Sequence, residues 1–511
     1  MKKKLILLIL LLLTISVGVT YAIFKWTSTN SDVTFNVEGC YITYDAGSNI
    51  SGASFGPALS KDDTTNVISK KITMTPECSG VTATLTLKVD SIDTELKDTS
   101  FIYQLYTGST LVSSGNFSDA TVGKVYNLLN TKTLTKDVTD TYTLYIYIDG
   151  NMDNPTTMGG KSFSFTLGAS GQNALYKKPS VNAVTLVEGL DKGTTGDSGS
   201  GVYKVQHDAT PSSNSATGSE IPAVTDYRYY GPSPNNYICL DMEGGSTCPD
   251  KHLYRIIGSI YEEKENTSRI KVIKSTPLTD GTTNGFSWDC KSDGTKDNIW
   301  ATITSGNYSN SLTSGSQLMK LLNSGAWWNG TSGSYYNNNT TATSVNFTNY
   351  KLSDKAKSYI TTSRYYLGGY NASSGVMTNQ FYTYERGTTR YNTNRPLYWD
   401  GYVGLMYPSD YGYAAGNSCV TGTDPFKYAG GCKNKDWLWM TTSSDYTGGA
   451  EWLMSPRSGG SNLAFGVNSS GYVYGYGTVG GAGAARPVFY LTSSASISDG
   501  EGTSAAPYIL S

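Results

Sequence analysis

Residues 451–491 read EWLMSPRSGGSNLAFGVNSSGYVYGYGTVGGAGAARPVFYL. The stretch alternates apolar with small or polar residues twice and turns at Asn468-Ser469-Ser470-Gly471. It then crosses a run of glycine and alanine and ends on an apolar segment. That pattern predicts a β-hairpin, a small-residue loop and a closing strand. Successive side chains of a strand point to opposite faces. Leu463, Phe465 and Val467 are therefore expected on one face of the first strand, and Tyr472, Tyr474 and Tyr476 on one face of the second. A row of three tyrosines is either a core layer or an exposed ligand face, since aromatic strand positions bury large areas and Tyr adds a polar tip. As a ligand face it would include Asn468 at the turn and Arg457 ahead of the hairpin. Trp452 and Arg486 flank the hairpin and are expected to be structural, the indole filling the core and the guanidinium bonding buried carbonyls.

Working outward, 511 residues are too many for one ordinary domain. The formal charge of -2, made more acidic by loss of Lys2, Lys3 and Lys4 with a leader, gives no electrostatic footprint for nucleic acid. With 56 glycines, 40 tyrosines and only 16% charged residues, polarity comes from Ser, Thr, Asn, Gly and Tyr. Such a surface suits either a binding protein or a turn-rich extracellular β protein.

The start has a basic n-region, Met1-Lys2-Lys3-Lys4, an apolar run over 5–19, and Thr20-Tyr21-Ala22 as a small-x-small cleavage site. This predicts a signal peptide over 1–22 and export, with an uncleaved anchor as the alternative and the only expected membrane contact. In an exported chain seven cysteines favour disulfides. Spacing pairs Cys239 with Cys248, Cys419 with Cys432 and Cys40 with Cys78, leaving Cys290 over. No C-x-x-C pair supports zinc.

Residues 23–170 show short alternating strands, clearest at 33–37, 41–44, 82–89, 101–106, 142–148 and 162–167, which predict an all-β antiparallel sandwich. Residues 171–225, rich in Gly, Ser, Thr and Pro, read as a linker with one short ordered strand at 202–205. Residues 226–511 read as a mixed α+β domain. Strands are expected at 237–240, 254–260, 270–274, 403–407 and 437–441, and helices start at Ser316 and Ser353, both suited to N-capping.

Trp26, Ser28 and Asn30 as W-x-S-x-N, then G-C-Y-I-x-Y at 39–44 and Y-T-L-Y-I-Y-I-D-G at 142–150, resemble the camelysin-like fibre and biofilm surface proteins of Gram-positive bacteria. The resemblance implies a jelly-roll-like sandwich at the cell surface and self-assembly by strand exchange. Asn236-Tyr237-Ile238, the L-Y-R-I-I-G run at 253–258, Val403-Gly404-Leu405, W-L-M-S-P at 452–456, A-R-P-V at 485–488 and the closing run 502–510 resemble the C-type-lectin-like fold of formylglycine-generating enzymes and related bacterial surface domains. That resemblance implies a ligand-reading C-terminal face.

Enzyme chemistry finds little support. The two histidines, His207 and His252, sit beside no nucleophile elbow, and H-E-x-x-H is absent. Cys419 and Cys432 are too widely spaced to resemble the copper-holding pair of formylglycine-generating enzymes. Asp400, Asp410, Asp436, Asp445 and Glu451 are available on loops with Trp399, Trp437 and Trp452 for a sugar cleft, the commoner reading being solvated loop acids. The expected function is a secreted or cell-surface binding or adhesion protein that takes a surface glycan or protein ligand and no cofactor. A structural fibre subunit is the alternative, and a carbohydrate-active enzyme a third reading.

Overall fold

The computed structural model describes residues 26–27, 41–46, 55–151, 158, 161–172, 175–177, 180–304, 307–308, 315–371, 374–428, 431–440 and 449–511. The leader, the strand expected at 33–37, Cys40 and Asp445 lie outside them. The chain divides into two compact units, residues 1–179 and 180–511, and strands dominate both.

The first unit is two sheets over one core. In the first sheet Thr82–Ile92 lies between Phe163–Gln172 and Val125–Thr133, with Trp26–Thr27 at the edge beyond Phe163–Gln172. The second sheet orders Leu175–Lys177, Tyr41–Asp45, Ile68–Pro76, Asp140–Asp149, Phe101–Thr107 and Thr110–Asn116. Strict alternation explains the layering: Ala83, Leu85, Leu87 and Val89 point inward from one sheet to meet Ile72, Met74, Leu105 and Leu144 from the other. Strands Ile68–Pro76, Thr110–Asn116 and Val125–Thr133 were not expected. Lys70-Lys71 interrupts the apolar pattern of the first, and the second is a polar edge strand with no buried residue.

The second unit centres on one large sheet. Its order is Val181–Asn182, Ser496–Asp499, Tyr508–Leu510, Tyr237–Cys239, Leu253–Glu262, Thr267–Lys274, Val488–Leu491 and Ile360–Thr361. Leu253–Glu262 and Thr267–Lys274 form an antiparallel hairpin. The segment 171–225 is not a simple linker. Val181–Asn182 joins the sheet, Asn182 caps the helix Ala183–Gly189, and Gly201–His207 pairs along its length with Val224–Tyr230. Its glycines serve tight turns, as at Gly196, where φ is +74 and the Tyr203 ring lies against the backbone. Val187, Val202 and Tyr203 of the segment are core residues.

Ser316 and Ser353 cap the helices Gln317–Asn323 and Asp354–Ser358, accepting from Met319 N–H and Ala356 N–H. Further helices at Thr378–Glu385, Pro408–Ala414 and Asn417–Gly422 were not expected. Residues 437–440 form a turn rather than a strand. Asp436 Oδ1 accepts from Leu438 N–H at 2.9 Å, and this local bond replaces a ladder partner.

A buried ionic chain ties these parts together. His207 Nε2 lies 2.8 Å from Asp226, Arg228 bridges Asp226 and Asp410 at 2.8 and 2.9 Å, and Lys271 Nζ meets Asp410 at 2.5 Å. His207, expected in a linker, is thus a core residue. Burial lowers its pKa against the pull of Asp226, whose carboxylate it shares with Arg228.

Two disulfides, Cys239–Cys248 and Cys419–Cys432, staple the second unit, and Cys290 is a free buried thiol. Cys78 is disulfide-bonded; its expected partner Cys40 lies outside the described residues. No helix among the described residues is long and apolar enough to cross a membrane.

Candidate ligand-binding cavity

The hairpin region is a three-stranded sheet, Ala450–Pro456, Leu463–Asn468 and Val473–Thr478. Both its faces are covered, since Ala464, Phe465 and Val467 are all fully buried. The middle strand pairs Ala464 with Gly477 but Gly466 with Tyr474. One extra residue therefore lies on the third strand, and such a bulge interrupts the alternation on which a shared tyrosine face depends. Tyr472 and Tyr474 are half-buried. The Tyr474 ring lies against Gly466, and burial raises its hydroxyl to about 12. Of Tyr476 only the backbone is described.

The other residues expected on that face are engaged. Asn468 Oδ1 accepts from Ser470 N–H and Tyr472 N–H, both at 3.0 Å, and so builds the turn. Arg457 is 9% exposed, donating to Asn371 Oδ1 and Gly475 O at 3.2 and 3.3 Å. It belongs to the interior, a correction to its place on a ligand face. Trp452 is buried, donates to Phe286 O at 2.7 Å, and lies against Gly477 and Gly483. Arg486 is buried and makes a two-pronged pair with Glu451 at 2.7 and 2.9 Å, with a further bond to Leu438 O at 2.6 Å.

The loop acids do not outline a sugar cleft. Asp410 belongs to the buried ionic chain, Glu451 to Arg486, and Asp400 to Arg364 at 2.9 and 3.0 Å. Trp399 is buried. Of that set, Asp436 and Trp437 meet in a cavity of about 420 Å³, where Arg255, Trp439 and Arg486 also line the wall.

Arg255, on Leu253–Glu262, pairs across the sheet with Tyr237. Its guanidinium is sandwiched between the Tyr237 and Trp437 rings, 4.5 and 4.4 Å from their centroids. Asn236 Oδ1 accepts from Arg255 Nε at 2.8 Å, and the Asn236 amide donates to Ile256 O at 2.9 Å, fixing the stem. The Trp437 indole donates to Tyr229 O at 3.0 Å. The turn carrying Asp436 to Trp439 starts four residues after Cys432, whose disulfide anchors it. Arg486 holds the same turn from the other side through Leu438 O.

The apolar pattern predicts a strand at Trp437, and Arg255 lies 182 residues away, too far for spacing to group the two. The one available signal was the Asp436-Trp437 pair itself.

Two buried polar atoms of this wall, Asp436 Oδ2 and Trp439 Nε1, have no hydrogen-bond partner among the described residues. Burial pushes the Asp436 carboxyl well above the usual carboxylate range. The Leu438 N–H and Arg486 oppose that rise, and the Glu451 charge adds to it. Two larger grooves exist, about 680 Å³ beside Gln317–Asn323 and about 570 Å³ on the first unit's four-stranded sheet. Neither lining includes an unpartnered buried polar atom.

A separate trio, Asp241, Glu243 and His252, holds donor atoms within 4.8 Å of one another beside the Cys239–Cys248 bridge. Lys251 Nζ already sits 2.8 Å from Glu243, and His252 Nε2 lies 3.1 Å from the same oxygen.

No family model and no curated protein matches the chain. Among solved structures it is similar to the sporulation control protein Spo0M from Bacillus subtilis, at 7% identity over 46% of this chain and 79% of that one. The TM-score of 0.13 is too low for that likeness to bear on fold or function.

Proposed function

We propose that this is an exported or cell-surface binding protein whose second unit takes a small polar ligand in the Arg255–Trp437–Asp436 cavity. The observation that carries this reading is the pair of buried, unpartnered polar atoms in its wall. An unmade buried hydrogen bond costs about 1–3 kcal/mol, and a ligand that completes it recovers that energy. The binding site moves from the tyrosine row to this cavity, because Arg457 and Asn468 are already committed to the protein. Two disulfides fit an oxidising, extracytoplasmic setting. A camelysin-like, jelly-roll-like first unit and a C-type-lectin-like second unit remain part of the proposal, the first as attachment, the second as reader.

The fibre alternative draws on one observation. Trp26–Thr27 is a two-residue strand at a sheet edge, beside Phe163–Gln172, where a neighbour's N-terminal segment could pair instead. Concentration-dependent filaments would favour that reading.

A saccharide and small-metabolite array probed with the full exported chain, and with Trp439→Phe, tests the binding reading. Binding that the variant weakens supports it. Equal binding by both, or none by either, removes the cavity as the site.

A further inference from the structure

We infer that the cavity is built for a carboxylate-bearing ligand of saccharide size, an acidic sugar whose carboxylate docks on the Arg255 guanidinium. This rests on the cavity being the binding site and names its ligand class.

The charges around the wall are unequal in a specific way. Arg486 is neutralised by Glu451 through two short bonds. Arg255 makes no ion pair among the described residues, and its positive charge is held only by the two flanking rings. Its Nε is well bonded, but both terminal nitrogens make only long contacts of 3.4 Å, to Trp437 O and Pro234 O. A guanidinium offers five N–H donors in a planar fork. The fork here has its stem fixed and its prongs under-used, the geometry that a bidentate carboxylate completes.

The remaining wall groups are mostly donors. Trp439 presents its indole N–H and Lys433 holds its ammonium 4.6 Å from the Trp439 ring centroid, while burial pushes the Asp436 carboxyl toward its uncharged form. An acceptor-rich anion satisfies these donors. The half-buried Trp439 indole suits the apolar face of a pyranose ring, and about 420 Å³ lies within the usual range for a small-ligand pocket.

Calorimetry on the full exported chain would use four probes: a galacturonate disaccharide, the matching neutral galactose disaccharide, an N-acetyl amino acid and inorganic phosphate. The acidic disaccharide should bind about tenfold or more tighter than the neutral one, as expected for a charge-assisted pair. Arg255→Gln should abolish that preference, bringing the acidic disaccharide down to the affinity of the neutral one. Arg255→Lys, which keeps the charge but not the fork, should lose most of the preference and serves if the glutamine variant fails to fold.

Equal affinity for acidic and neutral sugars that Trp439→Phe still weakens would overturn the carboxylate assignment and leave the cavity as a binding site; if Trp439→Phe has no effect either, the cavity reading falls with it. Tighter binding of the N-acetyl amino acid or of phosphate would overturn the saccharide class. Failure of all four probes would overturn the cavity reading as well.

Discussion

Trp439 shows how a single side chain can be costly to the free protein and useful to a complex. Its indole N–H is buried without an acceptor, so Trp439→Phe removes an unpaired donor while keeping the ring. The free variant should melt at the same temperature as the parent or slightly above it, while ligand affinity falls about tenfold. A purely structural tryptophan would show the reverse, a lower melting temperature with binding unchanged. Arg486 is the opposite case. Arg486→Met leaves Glu451 buried without its guanidinium, and should cost about 3–5 kcal/mol in denaturant unfolding. At this scale the sequence is weakly legible. Trp452 and Arg486 could be read as structural because a Trp and an Arg inside an apolar, glycine-rich run have nowhere else to go. Arg457 could not be read correctly, because its partners Asn371 and Gly475 are set by loop packing and not by spacing.

Among the elements, the turn from Asp436 to Trp439 carries three wall residues and owes its place to the Cys419–Cys432 bridge and the Arg486 bond to Leu438 O. Replacing both cysteines with serine should lower stability by about 3 kcal/mol, the entropy of closing a loop of about 15 residues. It should also weaken ligand binding. A variant that lost stability but bound normally would show that the bridge does not order this turn. The turn was misread as a strand because W-L-W-M is apolar without interruption, and periodicity cannot separate a buried strand from a buried turn. The long hairpin of Leu253–Glu262 with Thr267–Lys274 was legible for the converse reason, since two β-rich runs flank a charged loop. The helices Thr378–Glu385 and Pro408–Ala414 escaped notice because tyrosines and glycines blur their apolar face, and tertiary packing decides them.

For the molecule as a whole, buried acids set the response to pH. Burial raises Asp289 to about 6 and Glu385 to about 7, in each case against hydrogen bonds that favour the charged form. A raised folded pKa means the native state holds the proton more tightly. Their contribution is complete below about pH 4 and is lost as pH rises through about 6 to 7. Asp226 and Asp410 act in the opposite direction. Arg228 and Lys271 depress them despite burial, so their pairs are lost only at strongly acid pH. The melting temperature should therefore peak on the acid side of neutrality. Asp289→Asn should flatten the decline between pH 5 and 8 by about 1.4 kcal/mol, read from melts at both values. An unchanged slope would show that Asp289 is charged in the folded protein. None of this was visible in a composition with 16% charged residues, since what matters is which few charges are buried together.

The strand order of the second unit sets a condition on how it can assemble. Tyr508–Leu510 lies inside the large sheet, joining Ser496–Asp499 to Tyr237–Cys239. Until those residues arrive, Val181–Asn182 and Ser496–Asp499 have no ladder to the rest of the sheet. This side of the sheet therefore cannot close when Tyr237–Cys239 is made; it waits for Tyr508–Leu510, a pairing of long sequence separation that makes closure a late step of folding.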